Sequence, residues 1–284
     1  MTGPTPHSPT PARWRPSTLV RVSLGLHAGA LGLLVARPSA WPWAVGAVIA
    51  DHALLTAAGL TPRSALLGPN WTRLPAAAAG RRELAITIDD GPDPRITPRV
   101  LELLAERRAK ATFFCIGERV QRYAQLAREM VRRGHSVENH SQRHLNHFSL
   151  LGPRSLVAEI ERAQDTIGIT TGQQPLFFRA PAGLRSPFLD PVLSRLGLRL
   201  ASWTRRGFDT VNSRAEAVLG KLTRGLGAGD ILLLHDGHAA LTGEGVPVVL
   251  EVLPRLLDAV AAAELTPVTL RAALLSGARE ACAS

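Results

Sequence analysis

The sequence predicts an α/β protein, a distorted (β/α)7-type barrel of parallel strands preceded by an N-terminal apolar helical hairpin. From about Leu84 onward, short apolar runs alternate with amphipathic stretches, the pattern of repeated β/α units. The unusual polar clusters of that region each follow the C-terminal end of an apolar run, where loops converge in parallel α/β architectures. Ahead of Leu84 two long apolar stretches stand in tandem instead. An open doubly wound sheet fits the same alternation nearly as well.

Residues 1–16 are rich in Pro, Thr, Ser and Arg, lack apolar periodicity and read as a disordered tail. Residues 17–62 are an apolar helical segment, with nearly charge-free stretches at 22–36 and 41–60. The first would be about 22 Å long as a helix, short of the roughly 30 Å of a bilayer core. Counting from Ser17 makes it long enough, with Arg21 snorkelling. A secretory signal has Arg13, Arg15 and Arg21 in its favour, but Arg37-Pro38-Ser39-Ala40 is a poor small-x-small cleavage site. Asp51 and His52 in mid-segment favour a helical pair packed on the globular part; the tandem pattern and Trp41 and Trp43 favour a membrane anchor, which is the expectation. Residues 63–82 read as a linker and 83–284 as one α/β domain.

Strands are expected at 84–88, 111–116, 136–139, 176–179, 199–203, 230–234 and 266–269. Helical spacing and caps place helices at 99–108, 119–133, 153–167, 187–196, 214–226 and 247–263. The formal net charge of +10 rests on arginine, since Lys110 and Lys221 are the lysines. No basic run or aromatic-interleaved patch accompanies it, so nucleic acid is not an expected partner; compositional bias and an anionic membrane surface account for the charge. Cys115 in an apparent buried strand and Cys282 near the end form neither a disulfide framework nor a zinc cluster.

Asp89 and Asp90 follow the first strand, and adjacent carboxylates repel unless a cation or proton compensates. Taken alone, Asp-Asp-Gly-Pro-Asp-Pro is a solvated turn. His140 and His144 follow the third strand, and two histidines four apart can direct both imidazoles at one ion, with a carboxylate completing a facial set. Arg179, Trp203 and His235 end three further strands.

In order, Thr87-Ile88-Asp89-Asp90-Gly91, His140-Ser141-Gln142-Arg143-His144, Arg179-Ala180-Pro181-Ala182-Gly183 and Leu233-Leu234-His235 resemble the motifs of NodB-type polysaccharide deacetylases, carbohydrate esterase family 4. The resemblance covers roughly residues 84–270 and makes 83–284 a NodB-like domain. It implies a distorted (β/α) barrel, one divalent ion, zinc first with cobalt, nickel or manganese as substitutes, and hydrolysis of the N-acyl group of an aminosugar-containing glycan. Asp89 matches the catalytic base, Asp90, His140 and His144 the metal ligands, Arg179 the residue holding the base, His235 the general acid, and Ser141 a brace of the metal loop. The Ala182 N–H matches an oxyanion donor, although many members carry an aromatic residue there. The fourth motif departs further, reading Trp203-Thr204-Arg205-Arg206-Gly207-Phe208-Asp209, with Trp203 as support and Asp209 as the carboxylate that orients and charges His235.

The expected partners are an N-acylated aminosugar substrate and a membrane, the bacterial inner membrane with the side of the catalytic domain open; no protein partner is implied. The rival within enzymes is a deformylase or deacetylase of a lipid-linked aminosugar. A catalytically silent sugar-binding protein would require loss of a metal or base position, and all are present. A hairpin acting by itself on a passive barrel is disfavoured by the same intact set.

Overall fold

The computed structural model describes residues 14–283, with side chains to 277; most of the expected tail at 1–16 lies outside them. Two helices, α1 (Thr18–Ala36) and α2 (Trp41–Gly59), form the N-terminal hairpin. A connecting segment holds the short α3 (Ala76–Gly80). There follow β1 (Glu83–Asp89), α4 (Thr97–Glu106), β2 (Thr112–Cys115), α5 (Gly117–Arg122), α6 (Ala124–Arg132), β3 (Ser136–Asn139), α7 (Pro153–Thr171) and β4 (Phe177–Phe178). The chain continues through α8 (Leu189–Arg195), β5 (Arg199–Leu200), β6 (Arg205–Arg206), α9 (Ala215–Thr223), β7 (Ile231–His235), α10 (Val248–Ala262), β8 (Thr266–Pro267) and α11 (Leu270–Ala283).

Every strand pairing is parallel, in the order β5-β4-β3-β2-β1-β7-β6, with β8 on the start of β1. The sheet curls into an incomplete barrel, and the distorted-barrel expectation holds. Alternation along β1 sends Leu84, Ile86 and Ile88 to the core shared with α4, α9 and α10, and Ala85 to a second core with Phe114, Phe177, Ile231, Leu233 and Trp203. The same two-residue period puts Asp89 and His235 in phase with that inner set, and Asp89 pairs with His235 in register. Two candidate site residues thus reach the barrel mouth by continuing the pattern that fills the barrel.

β5 and β6 are not bonded to each other, and residues 71–74 fill the seam. Trp71 N–H donates to Leu200 O, Ser202 N–H to Trp71 O and Leu74 N–H to Gly229 O, at 2.9, 2.8 and 2.8 Å. The segment at 63–82 therefore contributes to the barrel as well as connecting it to the hairpin. The buried carboxylate of Glu138 holds the two-residue β4 in place, accepting from Leu176 N–H and Phe177 N–H at 2.6 and 2.9 Å, with Arg271 of α11 at 3.3 Å.

Each expected strand has a counterpart, though 176–179, 199–203 and 266–269 shorten to two residues each. β6 was not expected, because Arg205–Arg206 has no apolar run; it forms by pairing with Leu232 and Leu233. The helix expected at 119–133 divides at Tyr123, whose φ of −117° and ψ of 48° are not helical. α3 and α11 were also not expected.

Trp71 packs edge-on to Phe177 with ring centroids 5.0 Å apart. Trp71→Ala should therefore open the seam and cost about 2–4 kcal/mol, judged from large-to-small substitutions in cores. A urea midpoint unchanged from the parent would show that the seam does not hold the barrel shut.

Candidate active site

Adjacent strand residues point to opposite faces, so Asp89 and Asp90 can share one site only if the strand breaks between them. It does: Asp90 has φ of 73°, in the left-handed region, and Gly91 follows closely against Asp236, where an added Cβ would lie 2.5 Å from its carboxylate. Both aspartates are buried, 3% and 5% exposed, at the floor of a cavity of about 520 Å³.

Asp89 Oδ1 accepts from Arg179 Nη1 at 2.7 Å. Arg179 is itself buried, and every arm is used: Nη1 also donates to Thr87 Oγ1 at 2.7 Å, Nη2 to Ser202 O at 2.7 Å and Nε to Ala201 O at 3.2 Å. Its guanidinium lies 4.1 Å above the Phe114 ring. Burial pulls the Arg179 pKa below its usual value, while the charge and hydrogen bond of Asp89 oppose that shift.

Asp90 Oδ1 stands 3.2 Å from His140 Nε2 and 3.3 Å from His144 Nε2. His140 Nδ1 faces the Arg179 carbonyl at 2.8 Å; since a carbonyl can only accept, Nδ1 carries the proton and Nε2 presents a lone pair. The loop carrying both histidines is tightly turned, with Ser141 at φ 63° and His144 at φ 53°. Asn139 Oδ1 accepts from Ser141 N–H at 2.9 Å, and Ser141 Oγ accepts from His144 N–H at 3.0 Å, so Ser141 does brace this loop. Asp90 Oδ1 is buried without a hydrogen-bond partner. One carboxylate oxygen and two imidazole nitrogens thus converge where only a cation or shared protons can satisfy them, and the donor set fits a divalent ion of the zinc class.

Burial pushes the Asp90 pKa up, but the imidazoles of His140, His238 and His235 around the carboxylate outweigh it and hold the carboxyl well below its usual range. For His144, burial and the charge of His140 bring the pKa down to about 4, which keeps its lone pair free.

Across the cavity His235 ends β7. Asp209, fully buried on the loop after β6, accepts from His235 N–H at 2.7 Å through Oδ2 and faces His235 Nδ1 at 2.9 Å through Oδ1. Burial lowers the His235 pKa, but the Asp209 hydrogen bond and charge override this and raise it above the ordinary value. His235 Nε2 is left for the cavity.

Ala182 lies in a single 3-10 turn, Pro181–Gly183, with φ of 55°. Gly183 and Leu184 N–H groups are held by Ala180 and Pro181 carbonyls, and Ala182 lines the cavity. Gly183 (φ 75°) must be glycine, since a Cβ there would lie 2.6 Å from Trp203 Cη2. Trp203 is buried between Arg179 and Arg206, its ring 5.9 and 5.4 Å from their guanidinium carbons. The structure therefore places Asp89, Asp90, His140, His144, Ala182, Trp203 and His235 on one cavity, with Arg179, Ser141 and Asp209 bonded directly behind Asp89, His144 and His235.

Two residues were given no role from the sequence: His238, and Asp236, which stands at the strand end beside His235. His238 Nδ1 lies 3.0 Å from Asp90 Oδ2, and the signal for it was a second histidine three positions after His235. Asp236 is fully buried, receives Thr97 Oγ1–H at 2.5 Å and is pushed up to about 7 by burial and by the charges of Asp90 and Asp93, against the opposing Thr97 bond. Nothing in its own sequence context distinguishes it from a turn aspartate.

Residues 76–201 match the family model described as polysaccharide deacetylase. The chain is 36% identical over 156 residues to a peptidoglycan-N-acetylglucosamine deacetylase of Bacillus cereus, covering 54% of this chain and 72% of that one. It is 33% identical over 165 residues to a chitooligosaccharide deacetylase of Sinorhizobium fredii, covering 58% and 76%. Among solved structures, a family 4 carbohydrate esterase from Streptomyces lividans in complex with acetate superposes with a TM-score of 0.59 at 30% identity, covering 65% of this chain and 91% of that one.

The convergence on Asp90 makes a graded prediction. His140→Ala should lose a bound divalent ion outright, whereas His238→Ala should weaken its affinity about 10–100-fold, as loss of an outer-shell partner does. Equilibrium dialysis with elemental analysis separates the two, and normal metal content in His140→Ala would remove that residue from the ligand set.

Proposed function

This chain belongs to the polysaccharide deacetylase family, carbohydrate esterase family 4, whose members hydrolyse amide C–N bonds, and from that premise we propose that it is a divalent-metal-dependent N-deacetylase of N-acetylglucosamine-containing glycans, held at a membrane by its N-terminal hairpin. The observation that carries this reading is one cavity with an Arg179-locked Asp89 beside the Asp90, His140 and His144 cluster on one side and the Asp209–His235 pair on the other.

In this reading Asp90, His140 and His144 hold the ion, with zinc the first expectation. A divalent ion there supplies Lewis-acid polarisation of the amide carbonyl and a more acidic water. Asp89, ionised and aimed by Arg179, takes the proton from the attacking water. The Ala182 N–H donates to the oxygen of the tetrahedral adduct. His235, kept protonated by Asp209, gives its proton to the departing amine, which leaves poorly as an anion. Ser141 and Trp203 act through others, Ser141 by fixing the histidine loop and Trp203 by packing on Gly183 and Arg179.

The membrane part of the reading rests on α1, which by length and composition can cross a bilayer and is 6% buried over its apolar window. Val22, Leu31, Val35, Trp41, Trp43 and Ile49 are exposed on the hairpin. A second reading, a lipid-linked aminosugar carrying a formyl or acetyl group, is favoured by one feature. An apolar cavity of about 680 Å³, lined by Leu24, Leu55, Leu150 and Phe188 among others, lies between hairpin and barrel.

Acetate release from N-acetylglucosamine oligomers by the full chain should vanish with a chelator and return with zinc. Release of formate from a lipid-linked substrate, without acetate from any oligomer, would favour the second reading. Asp89→Asn should lower turnover by about 10²–10⁴, the usual worth of a general base, with metal content kept; a metal-free Asp89→Asn protein would contradict the division of roles between the aspartates. Because the acid form of His235 is the active one, the rate should fall as pH rises through its raised pKa. Asp209→Asn removes the charge that raises it, so the falling limb of kcat against pH should move to lower pH. An unmoved limb would detach His235 from that limb.

A further inference from the structure

Asp51 and His52 stand in the middle of an apolar helix, where by sequence they favour a helical pair packed on the globular part. In the structure they meet His27 of α1. His27 Nδ1 lies 2.8 Å from the Ser23 carbonyl, so it donates, and His27 Nε2 presents a lone pair. That nitrogen is 3.1 Å from His52 Nε2 on the facing helix. Asp51 is 6% exposed, and its Oδ2 accepts from Ser23 Oγ at 2.7 Å and stands 3.8 Å from His27 Nδ1. Ser23 therefore serves both partners, fixing the His27 tautomer through its carbonyl and the Asp51 carboxylate through its hydroxyl.

We propose that His27, Asp51 and His52 form a second divalent transition-metal site, distinct from the catalytic cluster, that clamps α1 to α2. One ligand atom from each lies within 4.8 Å of the others, and two imidazoles with one carboxylate suit zinc, cobalt or nickel. If His52 instead donated an Nε2–H to His27, the buried Asp51 carboxylate would keep one hydroxyl donor and no facing cation among the described residues. A buried charge so poorly partnered is costly in an apolar hairpin. An ion coordinated by both imidazoles and the carboxylate removes both difficulties. The fixed Ser23 contacts are the outer-shell support that metal-binding side chains characteristically carry. Ser23, His27 and His52 also line the apolar cavity between hairpin and barrel.

The test counts metal on the full chain in detergent, stripped with a chelator and reloaded with Co2+ or Zn2+. Wild type should bind two equivalents, His140→Ala one, His27→Ala one and the double variant none. The His27→Ala protein should retain its acetate release within about twofold. Asp51→Asn, which keeps the side-chain shape, should weaken the hairpin site at least tenfold; circular dichroism reports whether either variant has lost hairpin helix. One equivalent in wild type that His140→Ala removes, or two equivalents retained by His27→Ala and Asp51→Asn with the helices intact, would overturn the proposal. A loss confined to the His140→Ala arm, or to the His27→Ala arm, separates failure of this site from failure of the catalytic one.

Discussion

The site depends on one buried cation. Arg179 sits at the end of β4 with its guanidinium inside the barrel mouth, where water cannot offset its charge. Removing a charge from water costs several kcal/mol, and such a group is tolerated when each arm is paired. Here the partners come from two other parts of the sheet: Thr87 and Asp89 from β1, and the Ala201 and Ser202 carbonyls from the chain after β5. The main-chain carbonyl of the same residue receives the His140 Nδ1 proton. Arg179 thus sets the direction of the proposed base and, through its backbone, the free nitrogen of a proposed metal ligand. Neither can shift without disturbing the other.

A second constraint is backbone geometry at the strand ends. Asp90, Ser141, His144 and Ala182 all have positive φ without being glycine. Such conformations cost of order 1–3 kcal/mol each and persist where surrounding contacts over-determine them. Their effect is concrete. The Asp90 turn brings two consecutive carboxylates to one side of the sheet, and the Ser141 and His144 turns bring two imidazoles from one short loop onto the same carboxylate oxygen. The strain at these positions is the means by which a short stretch of sequence places adjacent side chains in one site.

Much of this was legible in the sequence because it follows from period and position. Asp89 and His235 could be read as mouth residues since each continues a strand whose alternate residues fill the barrel, and His140 with His144 had metal-ligand spacing as well as a family resemblance. The features that were harder to read depend on tertiary contact. β6 is two arginines that become a strand by pairing with β7. Asp209 is 26 residues from His235 in sequence, on a loop without apolar periodicity, yet bonds to both its ring and its backbone. His238 was not read from the sequence at all, because the chain turn that returns it to Asp90 relies on Gly237, where a Cβ would lie 2.3 Å from the Asp90 carbonyl oxygen.

The hairpin and the Ala182 loop are mechanically joined. Arg185 N–H donates to Gly59 O at the end of α2, and a Cβ on Gly59 would meet the Arg185 carbonyl, so the helix end is seated directly on the loop that follows Ala182. Pro62 presses on Gly183 from the same side, and Arg185 reaches back to the Ser64 carbonyl. Arg63 Nη1 donates to Thr204 O at 3.0 Å, beside Trp203. The turn that aims the Ala182 N–H is therefore held between Trp203 on the barrel side and residues 59–64 on the hairpin side. An oxyanion donor is useful in proportion to how firmly it is preorganised, and part of that support comes from residues 59–64, outside the β/α repeat. The catalytic unit in the physical sense therefore begins at the foot of the hairpin, and the segment that would hold the protein to a membrane also buttresses the loop proposed to stabilise charge on the substrate.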